Sequence, residues 1–399
     1  MPARRPDGPA LRAWRQSRNW DHTATAQRLR AAAAANGDTT ASLNSLVKMI
    51  YAWERGAYTI TERYTLLYAA AFGVPAGELA GSPPRQLTAI TSAPGPELPP
   101  GPLTNRDVEV IRRMLDSLTA SDRQSGGNHT LEYAAEYLHG IILPRLPTLG
   151  PELVIRDLHA VACEFTLRLA SMYADAGNPR ESRRMLSASF PLAEETGDPS
   201  WTAWVLARRG EQHLDDHDLA QAVAYTAAAV AMAASAPPRA RGFITSKHAL
   251  ALATRGDRTG AERMLSEARD AWNSTEDTPE PTWMRSYGIA HATHDEARAR
   301  LRLGQGRLAL PVAETSLAAR SQARPRGFAL AVIVFAALQD RDPQRACTAA
   351  HDLLTVASSG DSQRLAPQVT AALHALMPYR QLSETRDIFD FARAAGLMR

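Results

Sequence analysis

The sequence predicts an all-α fold, and three observations predict it. Alanine is concentrated in runs such as "AAAAAN" (31–36) and "YTAAAVAMAASA" (225–236), and it is the strongest helix former. β-Branched clusters are few, and the longest apolar run, "FALAVIVFAAL" (328–338), is flanked by helical sequence. Beyond residue 150, pairs of helical segments joined by a polar turn recur at intervals of about 40 residues.

The first helix is "PALRAWRQSR" (9–18) and the second "HTATAQRLRAAAAAN" (22–36). In the third, "SLNSLVKMIYAWERG" (42–56), Leu43, Leu46, Ile50 and Trp53 recur at spacings of three and four, so one face is apolar and buried. Asn44, Ser45, Lys48 and Tyr51 fall on the other face. Ser42 is placed as the N-cap and Gly56 as the stop. "ERYTLLYAAAFG" (62–73) and a last turn "PAGELAG" complete the segment. A helix, a turn and a second helix with a polar outward face is the helix-turn-helix layout, whose second helix enters the DNA major groove.

Residues 82–104 hold seven prolines, which cannot continue a helix, and read as a linker. They divide residues 1–81 from a larger domain at 105–399. Residues 104–150 read as further helices with a break at "SGGN". The pairs follow. A small residue seven before each turn (Ala170, Gly210, Ala249, Ala297, Val334) is answered by one about five after it. The latter are Ser182, Ala222, Ala261, Ala309 and Ala346, at spacings of 40, 39, 48 and 37. Small residues there let the two helices of a hairpin approach closely, and the period matches a helical-hairpin solenoid, slightly longer than a tetratricopeptide repeat. A sixth pair, 362–397, caps the array.

Residues 9–80 resemble the helix-turn-helix domain of Xre-type repressors. "AWERG" is similar to the "RWERG" that ends their recognition helix, and "ERYTLLYAAAFGVPAGEL" to the helices that follow. With the linker and the repeats, the whole chain resembles actinobacterial Xre-family regulators carrying tetratricopeptide-like repeats. The resemblance implies a lambda-repressor-like N-terminal domain that binds double-stranded operator DNA. It also implies a homodimer on inverted half-sites. The segment "AAAANGDTTA" (32–41) stands where that family has a tight turn, and either lengthens the second helix or forms a loop reaching the phosphates.

The charge distribution agrees with this reading. Residues 1–82 carry ten basic and six acidic side chains, so the positive balance of a chain of net charge +3 lies in that segment. The expected base-facing positions are Asn44, Ser45, Val47 and Lys48, with Tyr51 a turn further on. Asn suits adenine and Lys suits guanine. His22, Thr23 and Arg28 are expected along the phosphates. Glu54 and Arg55 read as structural or phosphate-adjacent rather than base-reading.

In the repeats, the first helix of each pair is expected to line the concave side. That register puts Trp204, Phe243, His291, His294, Arg298, Arg302, Phe328 and Phe335 there as an effector groove, with Glu164, Glu211, Asp215, Ser246 and Gln339 between them. Aromatics with cations suit an acidic metabolite, a peptide carboxylate or a partner protein, and the same face packed against itself or a second subunit remains open. His291 and His294 share a face, but no third ligand accompanies them, so no metal and no cofactor is expected. "GQG" (304–306) reads as a repeat turn, not a phosphate loop.

No nucleophile elbow, paired-carboxylate site or Walker sequence appears, and an enzyme is not expected. Cys163 and Cys347 form no disulfide or ligand pattern, there is no apolar signal region, and no run reaches membrane length. The expectation is a cytoplasmic, nucleoid-associated transcriptional regulator without a membrane partner. The alternative is an interaction scaffold whose helix-turn-helix no longer binds DNA.

Overall fold

The computed structural model describes residues 6–17, 20–35, 38–72, 76–80, 101–125, 130–275, 278–358 and 362–398. It is all-α, with eighteen α-helices and no strand among the described residues. The chain forms two compact units, Met1–Gly95 and Pro96–Arg399. The Pro-rich residues 82–100 lie outside the described residues, as do "SGGN" positions 126–128.

The first unit holds α1 (Gly8–Ser17), α2 (His22–Ala35), α3 (Leu43–Glu54), α4 (Glu62–Phe72) and a 3-10 turn, Ala76–Ala80. α2 packs on α3 and α4, and α1 on α3. Leu46 and Ile50 are fully buried and Trp53 nearly so, as their spacing requires, while Leu43 is half-buried. Ser42 caps α3 by accepting from the Ser45 amide at 3.3 Å, and Gly56 ends the turn at φ 71°. Of the segment 32–41, residues to Ala35 lengthen α2. The following loop is tied to α4, where Arg63 donates to both oxygens of Asp38 (3.0 and 2.8 Å) and to the Thr39 carbonyl.

The second unit opens with α5 (Asn105–Ser125) and α6 (Leu131–Tyr137), then builds five helical hairpins. These are α7 (Glu152–Asp175) with α8 (Pro179–Glu194), α9 (Pro199–Asp215) with α10 (Leu219–Met232), and α11 (Pro238–Arg255) with α12 (Arg258–Trp272). Next come α13 (Ile289–Arg302) with α14 (Gly306–Ala318), α15 (Ala323–Gln339) with α16 (Pro343–Ser358), and finally α17 (Ala366–Leu376) and α18 (Ser383–Ala394). The small residues sit where each hairpin closes: Ala222, Ala249, Ala261, Ala297, Ala309 and Ala346 are fully buried. A Cβ at Gly210 would come within 2.4 Å of Thr226, so this hairpin tolerates no side chain there.

The five turns share one construction. A residue with positive φ (Gly177, His217, Gly256, Gly304 or Arg341) precedes Asn178, Asp218, Asp257, Gln305 or Asp342. Four of these accept from the amide three residues on, at 2.9–3.2 Å, which caps the second helix.

First helices pack on one another (α9 on α11, α11 on α13, α13 on α15), whereas among the described residues the second helices of successive pairs share marginal contact at most, so the array curves with the first helices inside. The curve returns on itself. Arg324, opening the fifth pair, donates to Asp122 of α5 (2.9 Å) and Asp175 of the first pair (2.7 Å), both buried. Ser362 and the Gln363 amide also reach Asp175, at 3.3 and 3.2 Å.

Candidate functional site

On the first unit, α3 turns its polar side away from the core. At ~100° per residue, Asn44, Lys48, Tyr51 and Arg55 fall within about 60° of arc, opposite the Leu46–Ile50–Trp53 face. All four are exposed, and the Arg55 guanidinium lies 5.4 Å from the Tyr51 ring centre. Ser45 is exposed beside this stripe and Val47 is half-buried at its edge. Among the described residues Lys48 has no ion-pair partner. Arg55, expected to be structural or phosphate-adjacent, belongs to the outward stripe.

Glu54 is what fixes this helix in place. Its carboxylate is buried and takes two donations from Arg15 of α1 (Nε 2.6 Å, Nη2 2.9 Å), with His22 Nε2 at 3.4 Å and Arg12 at 3.8 Å. The Glu54 hydrogen bond raises the Arg15 pKa above its ordinary value. The last turn of α3 is thereby clamped to α1 and to the start of α2.

His22 is drawn inward to this clamp and meets Tyr51 edge-on at 5.5 Å, so the predicted patch on α2 and the stripe on α3 do come together there. Thr23 and Arg28 are both exposed but lie about 140° apart around α2. Arg28 leans on Trp20, 5.6 Å from the ring, away from Thr23. Arg30, outside the expected phosphate contacts, is exposed on the Thr23 side.

On the second unit the expected aromatic groove is filled. Trp204 and Phe243 are 3% and 0% exposed and belong to the core rather than to a ligand surface. The reason is the connection between α12 and α13, residues 273–288, which also accounts for the spacing of 48. Its 3-10 turn Thr282–Ser286 inserts Trp283, fully buried and stacked on Trp204 at 5.1 Å and 4°. Tyr287 packs on Phe243 at 4.4 Å and on His291 at 5.0 Å. Phe328 and Phe335 are half-buried against the core, Phe328 with Arg364 over its ring at 5.6 Å. Between α5, this turn and the start of α15 lies a recess of about 770 Å³ lined by Asp116, Thr119, Arg285 and Gln322, none of them a predicted site residue.

Beside the aromatic plug runs a ladder of charges across three first helices, α9, α11 and α13. Arg208 of α9 donates to Ser171 of α7 (3.2 Å) and to Glu211 (2.5 Å). Lys247 of α11, buried, bridges Glu211 (2.5 Å) and Asp295 of α13 (2.8 Å) and lies 4.9 Å from the Phe243 ring centre. Arg298 approaches the other Asp295 oxygen at 3.9 Å. Burial alone would lower the Lys247 pKa, but Asp295 and Glu211 raise it; Glu211, despite burial, is held well below the usual carboxylate range by Lys247 and Arg208. Lys247 and Glu211 are therefore both held in their charged forms.

His294 borders this ladder. Burial, then Arg298, Arg320 and Lys247, push its imidazole well below the ordinary histidine value, and its Nδ1 is sealed from solvent without a hydrogen-bond partner. The acids flanking the two histidines are committed elsewhere, Asp295 to Lys247 and Glu296 to Arg269 and Arg300. Among the described residues no group of three or more His, Cys, Asp or Glu is placed to hold a metal, and no helix is long and apolar enough to cross a membrane.

No protein-family model matches this chain, and no curated protein matches it. The geometry of the two faces carries the functional argument by itself.

Proposed function

We propose that the protein is a sequence-specific DNA-binding transcriptional regulator, with α2 and α3 as its helix-turn-helix and the repeat unit serving dimerisation, effector binding or both. The observation that carries this is the stripe Asn44–Lys48–Tyr51–Arg55, exposed and opposite a fully packed face. Its hydrogen-bonding types suit base edges, and a basic segment of net charge +4 supplies the attraction to phosphates. The Glu54 clamp supports it, because base readout needs a helix held in one orientation.

The deciding experiment is selection of bound sequences from random duplex DNA by the full-length protein. An inverted repeat with half-sites about one helical turn apart is expected, bound by a dimer in analytical ultracentrifugation. Lys48→Ala is expected to weaken the selected site by ~1–3 kcal/mol and to relax preference at one position. A uniform loss across sequences would make Lys48 a phosphate contact instead. A scaffold reading draws on Tyr58 and Leu66, 72% and 56% exposed on the same unit. Recovery of no preferred sequence would favour it.

A further inference from the structure

The recess of about 770 Å³ on the second unit is walled by three segments far apart in the chain. α5 supplies Asp116 and Thr119, the 3-10 turn that inserts Trp283 supplies Arg285 and Ser286, and the start of α15 supplies Gln322. Its volume is that of a small-molecule pocket. Unlike the charge ladder, its polar groups are unspent. Among the described residues the side chains of Asp116, Thr119, Ser286 and Gln322 make no hydrogen bond or ion pair. Arg285 gives its Nε to the Thr282 carbonyl at 3.0 Å, and its two terminal nitrogens make no hydrogen bond among the described residues.

Two of these groups carry opposite charges, yet no ion pair joins Asp116 to Arg285. The acid that Arg285 does approach is Glu164 of α7, at 3.9 Å, beyond hydrogen-bonding distance. Glu164 is buried, and its Oε2 is sealed from solvent without a hydrogen-bond partner. Burial pushes its pKa up against the pull of Arg285, Arg168 and Arg112, and the Asp116 charge adds to the rise. Arg285 is therefore attracted by Glu164 without being used up by it. Charges of opposite sign that share a recess but do not pair suit a ligand bringing one charge of each sign. An anion alone would meet Asp116, and a cation alone would meet Arg285.

We propose that this recess binds a zwitterion of the α-amino-acid type, its carboxylate on the Arg285 fork and its ammonium on Asp116. A guanidinium takes a carboxylate bidentately, and an ammonium brings three donors to an acceptor-only carboxylate. Thr119, Ser286 and Gln322 supply the remaining hydrogen bonds. The site adjoins the joint of the array: Asp122, three residues beyond Thr119, and Arg324, two beyond Gln322, are bonded at 2.9 Å. A ligand bridging Asp116 and Arg285 ties α5 to the plug turn beside that joint, so binding favours the closed array. This deepens the effector half of the function proposed above and does not depend on its DNA half.

The test is the melting temperature of the full-length protein with the protein amino acids added one at a time. A saturable upward shift is expected with at least one of them. For that amino acid the N-acetyl form, which lacks the ammonium, and the methyl ester, which lacks the carboxylate, are each expected to bind about tenfold or more weaker. Arg285→Gln and Asp116→Asn are expected to weaken the concentration dependence by a similar factor. Both side chains are exposed, so the variants fold, and a circular-dichroism spectrum checks this. Absence of any saturable shift overturns the site, as does a rise shared by every amino acid without saturation, which is solvent exclusion. A response that survives either capped form or both variants overturns it too. Failure to select a DNA sequence alongside an intact amino-acid response would sink the DNA reading alone.

Discussion

The chain contains two lysines among its many arginines, and it uses them in opposite ways. Lys48 stands on the outward stripe of α3, exposed and without a carboxylate partner among the described residues. Lys247 is buried on the inner face of the repeats, holding Glu211 and Asp295 at 2.5 and 2.8 Å. A compact ammonium with three rotatable donors can bridge two carboxylates under an aromatic ring, where a planar fork needs more room. The difference separates two kinds of polar face. One leaves its donors exposed; the other has spent them on itself.

Removing each lysine is the sharpest way to break that comparison. Lys247→Met leaves two carboxylates buried and facing one another and is expected to cost ~3–5 kcal/mol of folding stability. Lys48→Met is expected to stay within ~0.5 kcal/mol. Urea denaturation followed by circular dichroism reads both, and equal losses would erase the distinction.

The next effect is in pH. His294 is neutral in the folded protein because burial and three nearby cations depress its pKa, whereas the unfolded chain takes up that proton below about pH 6.5. The unfolded state then binds more protons than the folded one, so stability present above that pH is lost as pH falls, by at most ~1.4 kcal/mol per unit. His294→Asn should flatten the slope between pH 7 and 5.5. His248, also depressed by burial and by Arg255, contributes in the same direction. An unchanged slope would mean that His294 is not held neutral.

Smaller effects separate the repeat turns. Asp257→Ala removes the cap on the Gly260 amide and should cost ~1 kcal/mol. Smaller still, His217→Gly and Arg341→Gly relieve a left-handed backbone that their neighbours in the same turn give to glycine, and each should add about 0.5–1 kcal/mol. A loss on either substitution would show that the side chain contributes more than its backbone costs.

Local periodicity was enough for much of this. The spacing of Leu46, Ile50 and Trp53, the Ser42 cap, the Gly56 stop and the small residue at each hairpin are all short-range signals, and the structure has each where its spacing puts it. Periodicity also put Trp204 and Phe243 on the first helices of their pairs, where both are buried. It could not say what covers them, because Trp283 arrives from an irregular connection with no repeat register. The sequence signal for it was the one long interval, 48 residues. Glu54 was legible as structural or phosphate-adjacent but not as the centre of a clamp, since Arg15 lies 39 residues away. Glu54 and Arg55, adjacent and given one reading by the sequence, part in the structure: one is buried against Arg15 and the other is exposed on the outward stripe.

The Arg324 contacts with Asp122 and Asp175 join residues 202 and 149 positions apart. An ordinary solenoid is open-ended: repeats can be gained or lost in evolution, and it frays from its tips, because each repeat knows only its neighbours. Here the fifth pair is also a neighbour of the first. That contact sets the number of pairs, since one more or one fewer would carry Arg324 past its two acids. It also turns a row into a closed circuit, in which loosening any single pair strains the joint, and a load applied at one hairpin is felt around the whole turn.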